Sequence, residues 1–302
     1  MRALLIMGPT ASGKSALALA LAERLGGEIV NADSMQVYRD LRVLTARPTP
    51  EEEARAPHHL YGEIDAAVRY SVGDWTRRAT ALIADIAARG RVPIVAGGTG
   101  LYFMALTEGL AEIPAPSAEV RAEVAARRAA NGDDALHPWL AEVDPVMAAR
   151  LSARDAPRIV RALEVTLTSG ASIATWQTDT RPALAPEAWR GFALMPPRAP
   201  LYGAIDARFG FMLENGALEE SRTLGARGLD PMLPCMKAHG MPWLAAHLRG
   251  EMTLAAAADL GRRDTRRYAK RQFTWIGNQM PDWIRMADVS LEARMAHVLA
   301  SK

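Results

Sequence analysis

The chain contains one cysteine in 302 residues, Cys235, which excludes any disulfide within it. With only Lys237 and His239 as basic neighbours, that thiol is not expected to act as a nucleophile. Lysine is scarce too: arginine supplies 32 of the 36 basic residues. That bias suits bidentate phosphate contacts, and a G+C-rich genome also produces it. Aromatic residues make up 6%, and Trp139, Trp176 and Trp189 are scattered as packing residues rather than grouped into a base-stacking platform. Long apolar runs are missing. The run near the N-terminus, Ala3 to Met7, ends in Gly-Pro and is far below the ~20 residues that span a bilayer. No signal peptide or membrane helix is expected, and the expected place is the cytosol. With 49% hydrophobic and 23% charged residues, the composition excludes disordered, collagen-like and disulfide-scaffold classes.

At ~150 residues per domain, the length predicts two domains or one domain with a large insertion. The first hundred residues alternate strand and helix signals. Ala3 to Met7 is a short buried strand, and a glycine loop follows it. Ala16 to Leu25 is a helix closed by Gly26-Gly27. Ile29 to Ala32 reads as a second strand, Trp75 to Ala88 as a helix, and Val92 to Ala96 as a third strand entering Gly97-Gly98-Thr99-Gly100. Such alternation implies a parallel sheet covered by helices. Past Gly109, Pro114 and Pro116 mark a boundary, and charged, alanine-rich helical segments begin with Glu119 to Ala130. Asp144-Pro145 and Asp155-Ala156-Pro157 read as helix starts, with Asp as a cap. A strand at Phe192 to Met195 returns to the sheet, and helices follow over Leu201 to Asn215, Thr253 to Gly261 and Arg262 to Trp275. The expected architecture is an α/β, phosphate-loop-NTPase-like parallel sheet with flanking helices and an inserted all-helical subdomain. Its core would span 1–113 and 190–302, and the insertion 114–189.

The sharpest local signal is Gly8-Pro9-Thr10-Ala11-Ser12-Gly13-Lys14-Ser15, a full phosphate-loop match placed between a strand and a helix. Backbone amides and the helix dipole converge on an anion there, Lys14 adds a point charge, and the Ser15 hydroxyl can hold magnesium. The loop specifies a polyphosphate and does not single out ATP; a diphosphate ester fits the same cradle. Asp33, Ser34 and Thr99 follow strands and belong to the carboxyl edge of the sheet, where open α/β sheets bind ligands. On pattern alone, Asp33 can coordinate magnesium or accept a proton from a nucleophile, or simply cap a turn. His58-His59 lacks the spaced partners of a zinc site and reads as an ordinary loop. Arg158 and Arg161, three apart, share one helix face that either meets phosphate or pairs with Glu164. Arg262 to Arg271 carries a local charge of +5 in a chain of net +2, with Tyr268, Phe273 and Trp275 nearby. Basic residues interleaved with aromatics at helical spacing point to a nucleic-acid backbone.

Taken together, these segments resemble the tRNA dimethylallyltransferases. Gly8 to Ser15 is similar to that family's GPTASGK loop, and Asn31 to Tyr38 to its DSxQxY segment. Thr45 to Pro48 is similar to TAKP, Gly97 to Tyr102 to GGTGLY, Arg158 to Val165 to RxVRALEV, and Tyr268 to Trp275 to YAKRQxTW. The resemblance covers almost the whole chain. It implies that Gly8, Pro9, Thr10, Ala11, Ser12, Gly13, Lys14 and Ser15 hold the diphosphate of dimethylallyl diphosphate with magnesium on Ser15. It also implies that Asp33 is the general base toward an adenine amine and that Thr99 positions substrates. The tRNA contacts it implies are Asp33, Ser34, Met35, Gln36, Thr99, Arg121, Pro157, Arg158, Ile159, Val160, Arg161, Arg263, Arg266, Arg267, Lys270 and Arg271. The helical insertion would grip the anticodon stem-loop of tRNA, and a monomer is expected because tRNA already supplies a large partner surface. Leu44 replaces a usual glycine, Arg47 a lysine, Arg267 a glutamine, and Ala238-His239-Gly240-Met241-Pro242 stands where AIGYK is usual. Two other classes compete: a small-molecule or nucleoside kinase, and a non-catalytic RNA-binding protein using the loop as an anion clamp.

Overall fold

A computed structural model describes residues 2–111, 113–176, 180–288 and 290–301. The chain forms two compact units, Met1–Thr107 with Ala183–Lys302, and Glu108–Pro182. The second junction lies at 182/183 rather than 189/190, because Leu184 is buried in the core of the first unit and its N–H bonds the Leu106 carbonyl at 2.9 Å.

The first unit is built on six strands: β1 (Ala3–Met7), β2 (Glu28–Asn31), β3 (His58–His59), β4 (Pro93–Gly97), β5 (Trp189–Leu194) and β6 (Ile284–Met286). They pair in the order β3-β2-β4-β1-β5-β6, every pairing parallel. Sheets of this kind are covered on both faces, so their strands read as continuous apolar runs. Side chains still alternate: Leu5 and Met7 join one core with Trp75 and Phe103, and Ile6 joins another with Leu17, Leu21 and Phe192. Because all strands run the same way, the loops after β1, β2 and β4 emerge on one edge. That edge gathers the phosphate loop, Asp33 and Thr99. Just beneath it, the fully buried Trp75 donates its indole N–H to the Asn31 carbonyl at 2.8 Å and stacks on Tyr102 at 4.1 Å. A stacked pair of this kind adds about 0.5–1.5 kcal/mol beyond area burial.

Two expectations are corrected here. His58-His59 is not a loop but a short edge strand, paired with Ile29 and Val30. His59 Nε2 lies 2.8 Å from Glu28, whose buried carboxyl is held down to about 2, chiefly by the Arg89 guanidinium. No metal-binding cluster of His, Cys, Asp or Glu exists among the described residues. The segments 253–261 and 262–275 form one helix, Leu254–Gln279. Gly261 does not stop it, since its missing side chain is a packing device: a Cβ there would lie 2.3 Å from Phe209 Cζ.

The second unit is all helical, with Ala118–Asn131, Leu136–Val143, Pro145–Arg150, Ala156–Ser169 and Ile173–Trp176 around Leu136, Trp139, Leu140, Ile159 and Leu163. Asp144 caps as expected, accepting the Met147 N–H at 3.0 Å. Asp155 makes no side-chain cap and pairs instead with Arg158 at 3.5 Å. Among the described residues no helix is long and apolar enough to cross a membrane.

Candidate functional site

The phosphate loop turns through two left-handed residues, Ala11 (φ 63°) and Gly13 (φ 84°), before the helix Lys14–Leu25 begins. Glycine adopts that conformation at no steric cost. The loop is tied down from several sides. Ser12 N–H bonds the Pro9 carbonyl at 3.1 Å, and the Thr10 N–H bonds Gln272 Oε1 at 2.9 Å. Gln272 Nε2 bonds the Gly98 carbonyl at 2.8 Å, so one buried amide joins the phosphate loop to the glycine corner after β4. Arg294 donates to the Ser12 carbonyl at 2.7 Å, and Arg208 to the Thr10 hydroxyl. Burial pushes the Lys14 ammonium down to about 8, with Arg208 adding to the effect and Asp33 opposing it.

On the neighbouring loop, Asn31 shapes the backbone. Its Oδ1 accepts the Asp33 N–H at 2.8 Å, and its Nδ2 donates to the Asp33 and Leu60 carbonyls, both at 3.0 Å. Asp33 Oδ1 accepts the Met35 N–H at 2.9 Å, which orients the carboxylate. Thr99 Oγ1 accepts the Ser34 N–H at 2.9 Å and donates to the Ser34 hydroxyl at 3.3 Å. Three segments distant in sequence are thereby held in register.

Of these groups Thr10, Asp33, Ser34, Met35 and Arg208 line a cavity of about 430 Å³, together with Tyr268. Thr10, Asp33, Ser34 and Arg208 give it a polar part; Leu44, Ile205, Phe209 and Met212 give it an apolar part. Desolvation governs its titration. Burial lowers the Arg208 guanidinium pKa and raises that of the Tyr268 hydroxyl. His239, packed 4.5 Å from the Tyr268 ring, is pushed toward the neutral form by burial and then by Arg271, with Asp33 opposing. A carboxylate, two half-buried cations and loop amides beside an apolar wall suit an amphiphilic anion and a proton transfer at its head.

The sequence-predicted residues fall in different places. Gly8 to Ser15, Asp33, Ser34, Met35 and Thr99 gather at the edge just described, with Ser15 exposed on the first turn of its helix. Gln36 is committed inward, its amide donating to the Thr45 and Ala46 carbonyls at 2.7 and 2.9 Å. On the long helix, Arg266 pairs with Asp206, and Arg263 and Arg267 reach Asp264 at 3.5 and 3.7 Å. Lys270 and Arg271 are exposed, Arg271 lying 5.5 Å over Tyr268. Surface pairs like these are weak and yield readily to a phosphate. In the helical unit, Arg121, Pro157 and Arg158 are exposed, and Val160 and Arg161 are half-buried. Ile159 is fully buried, so its side chain packs the core of that unit rather than a ligand surface. Sequence reasoning missed Gln272, Arg208, His239 and Arg294 as site residues, and it read Tyr268 as part of a nucleic-acid surface rather than as lining this cavity. Gln272 had a readable signal: it sits on the stripe of Ala269, Phe273 and Ile276, and a buried amide needs partners.

A family model described as IPP transferase matches residues 36–279, and a second, described as isopentenyl transferase, matches 1–63. The chain is 55% identical to a tRNA dimethylallyltransferase of Nitrobacter hamburgensis over 98% of its own length and 94% of that protein. It is 58% identical to one from a Caulobacter species over 93% and 91%. Among solved structures, the tRNA isopentenylpyrophosphate transferase of Bacillus halodurans superposes with a TM-score of 0.71 at 35% identity, covering 99% of this chain and 95% of that one. A eukaryotic dimethylallyltransferase acting on tRNA gives 0.79 at 26% identity, covering 99% and 77%.

Proposed function

The chain belongs to the IPP transferase family, and from that membership we propose that it transfers a dimethylallyl group from dimethylallyl diphosphate to tRNA. The acceptor is the exocyclic N6 amine of the adenine 3′-adjacent to the anticodon, and diphosphate is released. The observation that carries this reading is the single cavity where Thr10 of the phosphate loop, Asp33, Arg208 and an apolar wall meet. A donor that is anionic at one end and branched alkyl at the other matches it.

In this reading Asp33 takes the proton from the amine as the carbon–nitrogen bond forms, which the amine needs because its lone pair is delocalised into the ring. Loop amides, Lys14 and Arg208 stabilise charge on the departing diphosphate, strongly so in a desolvated site. Thr99, hydrogen-bonded to both the N–H and the hydroxyl of Ser34, keeps the Asp33 loop in position. The target base must leave its stack, at a few kcal/mol. Phosphate contacts from exposed Arg121 and Arg158 of the helical unit, with the apolar ring of Pro157 packing beside them, and from Arg267, Lys270 and Arg271 of the long helix, offset that cost. A divalent cation fits the oxygen donors here: Ser15 is exposed beside Lys14, and Ser12 Oγ is buried with no hydrogen-bond partner among the described residues. Magnesium held through Ser15 and the diphosphate would supply further charge neutralisation to the leaving group. The protein acts as a monomer in the cytoplasm.

The test combines purified protein, magnesium, labelled dimethylallyl diphosphate and unmodified tRNA, with labelled ATP in a parallel tube. Label on an adenine is the expected result. ATP turnover with no label on RNA would replace this reading with a kinase.

A further inference from the structure

One buried cation has no part in the steps above. Arg294 lies on the helix Leu291–Ala300, C-terminal to every segment that carries the family resemblance. It is 4% exposed and forms no ion pair among the described residues. Its Nε donates to the Asp288 carbonyl and its Nη1 to the Ser12 carbonyl, both at 2.7 Å. A buried charge answered only by carbonyl dipoles is costly unless a counter-charge reaches it. The guanidinium is also close-packed on the phosphate loop: a Cβ built on Gly13 would lie 2.8 Å from Nη1. Its helix is anchored at the far end, where Val298 is buried in the same core as Leu17 and Leu21, and Arg190 of β5 donates to the Ser301 carbonyl.

The peptide group joining Ser12 to Gly13 is planar, with its carbonyl and its N–H pointing in opposite directions. By holding the carbonyl, Arg294 turns the Gly13 N–H away from itself. That N–H has no acceptor among the described residues, whereas the Ser12 N–H is already bonded to the Pro9 carbonyl at 3.1 Å. Donation from a cation polarises the peptide as well, which strengthens its N–H as a donor. We propose that Arg294 is a positioning residue for the anionic end of the donor: it fixes the Ser12–Gly13 peptide so that the Gly13 N–H meets a diphosphate oxygen. The arriving anion supplies the counter-charge that the guanidinium lacks. This rests on the prenyl-transfer reading and adds to it a residue that acts through the phosphate loop without touching the donor.

The test uses the full chain and inorganic diphosphate with magnesium as the probe, followed by titration calorimetry. Arg294→Met removes charge and donor at similar volume, Arg294→Gln keeps a donor without the charge, and Arg294→Lys keeps the charge. Loss of one charge-assisted hydrogen bond should weaken diphosphate binding by about 10- to 100-fold in Arg294→Met. Donor KM should rise with it by more than kcat falls, and tRNA affinity should stay unaltered. Arg294→Lys should bind diphosphate more tightly than Arg294→Met, which a role in packing alone would not give. Unaltered diphosphate affinity and donor KM in Arg294→Met would overturn the proposal. So would a joint loss of diphosphate and tRNA affinity that Arg294→Lys does not relieve. If Arg294→Met fails to fold, Arg294→Gln takes its place under the same criteria. An unaltered protein that binds diphosphate but transfers no prenyl group would instead defeat the prenyl-transfer reading itself.

Discussion

Replacing Gln272 by Leu probes the joint that assembles the candidate site. The buried amide receives the Thr10 N–H at 2.9 Å and donates to the Gly98 carbonyl at 2.8 Å, so it spans the two loops that carry the groups proposed to bind phosphate and position substrate. Leucine keeps most of the volume and provides neither bond. Each backbone group left unsatisfied in a buried place costs about 1–3 kcal/mol, so the pair amounts to about 2–6 kcal/mol. That is a large share of the 5–15 kcal/mol typical of total stability. At about 2–4 °C per kcal/mol for a unit of this size, the midpoint of thermal unfolding should fall by at least several degrees. The phosphate loop should also loosen, raising KM for the prenyl donor more than it lowers tRNA affinity. Gln272→Glu separates the two effects: it can still accept from Thr10 but turns a second oxygen on the Gly98 carbonyl and places a negative charge beside the diphosphate. Calorimetry and initial-rate kinetics on both variants give the answer. Unfolding at the unaltered temperature together with unaltered donor KM in Gln272→Leu would refute the idea that this amide assembles the site.

Other expectations follow from the same geometry. Asp33→Asn should nearly abolish transfer while tRNA affinity, measured by filter binding, stays close to normal; full activity would remove Asp33 as the base. Burial lowers the pKa of Lys14 to about 8 in the folded protein, so the cation proposed to hold diphosphate is present below that pH and lost above it. Donor kcat/KM should accordingly fall as pH rises through about 8, and a profile flat to pH 10 would contradict the role. Neutralising Arg263, Arg266 and Arg267 to Gln should weaken tRNA binding and flatten its salt dependence by about one slope unit per lost phosphate contact. An unchanged slope would show that the RNA lies elsewhere.

What local pattern determines, the sequence carried unaided. The phosphate loop is legible because its glycines and Lys14 satisfy turn and helix-start rules within eight residues. The parallel sheet is legible because β1, β2 and β4 are short apolar runs separated by a helix or a long connection, and Asp33 and Thr99 follow from strand ends. Other features were decided only when the chain closed on itself. Gln272 meets Thr10 across 262 positions, Arg208 meets the same residue across 198, and Glu220 grips Leu44 across 176. Gly261 reads as a helix stop until Phe209 is seen filling the space its side chain would occupy, and His58-His59 reads as a loop until β2 offers it a partner. Turn and cap chemistry acts over a few residues, so composition and spacing encode it. Which distant donor meets which acceptor depends on strand order and helix packing, and these are fixed by burying the whole apolar surface at once.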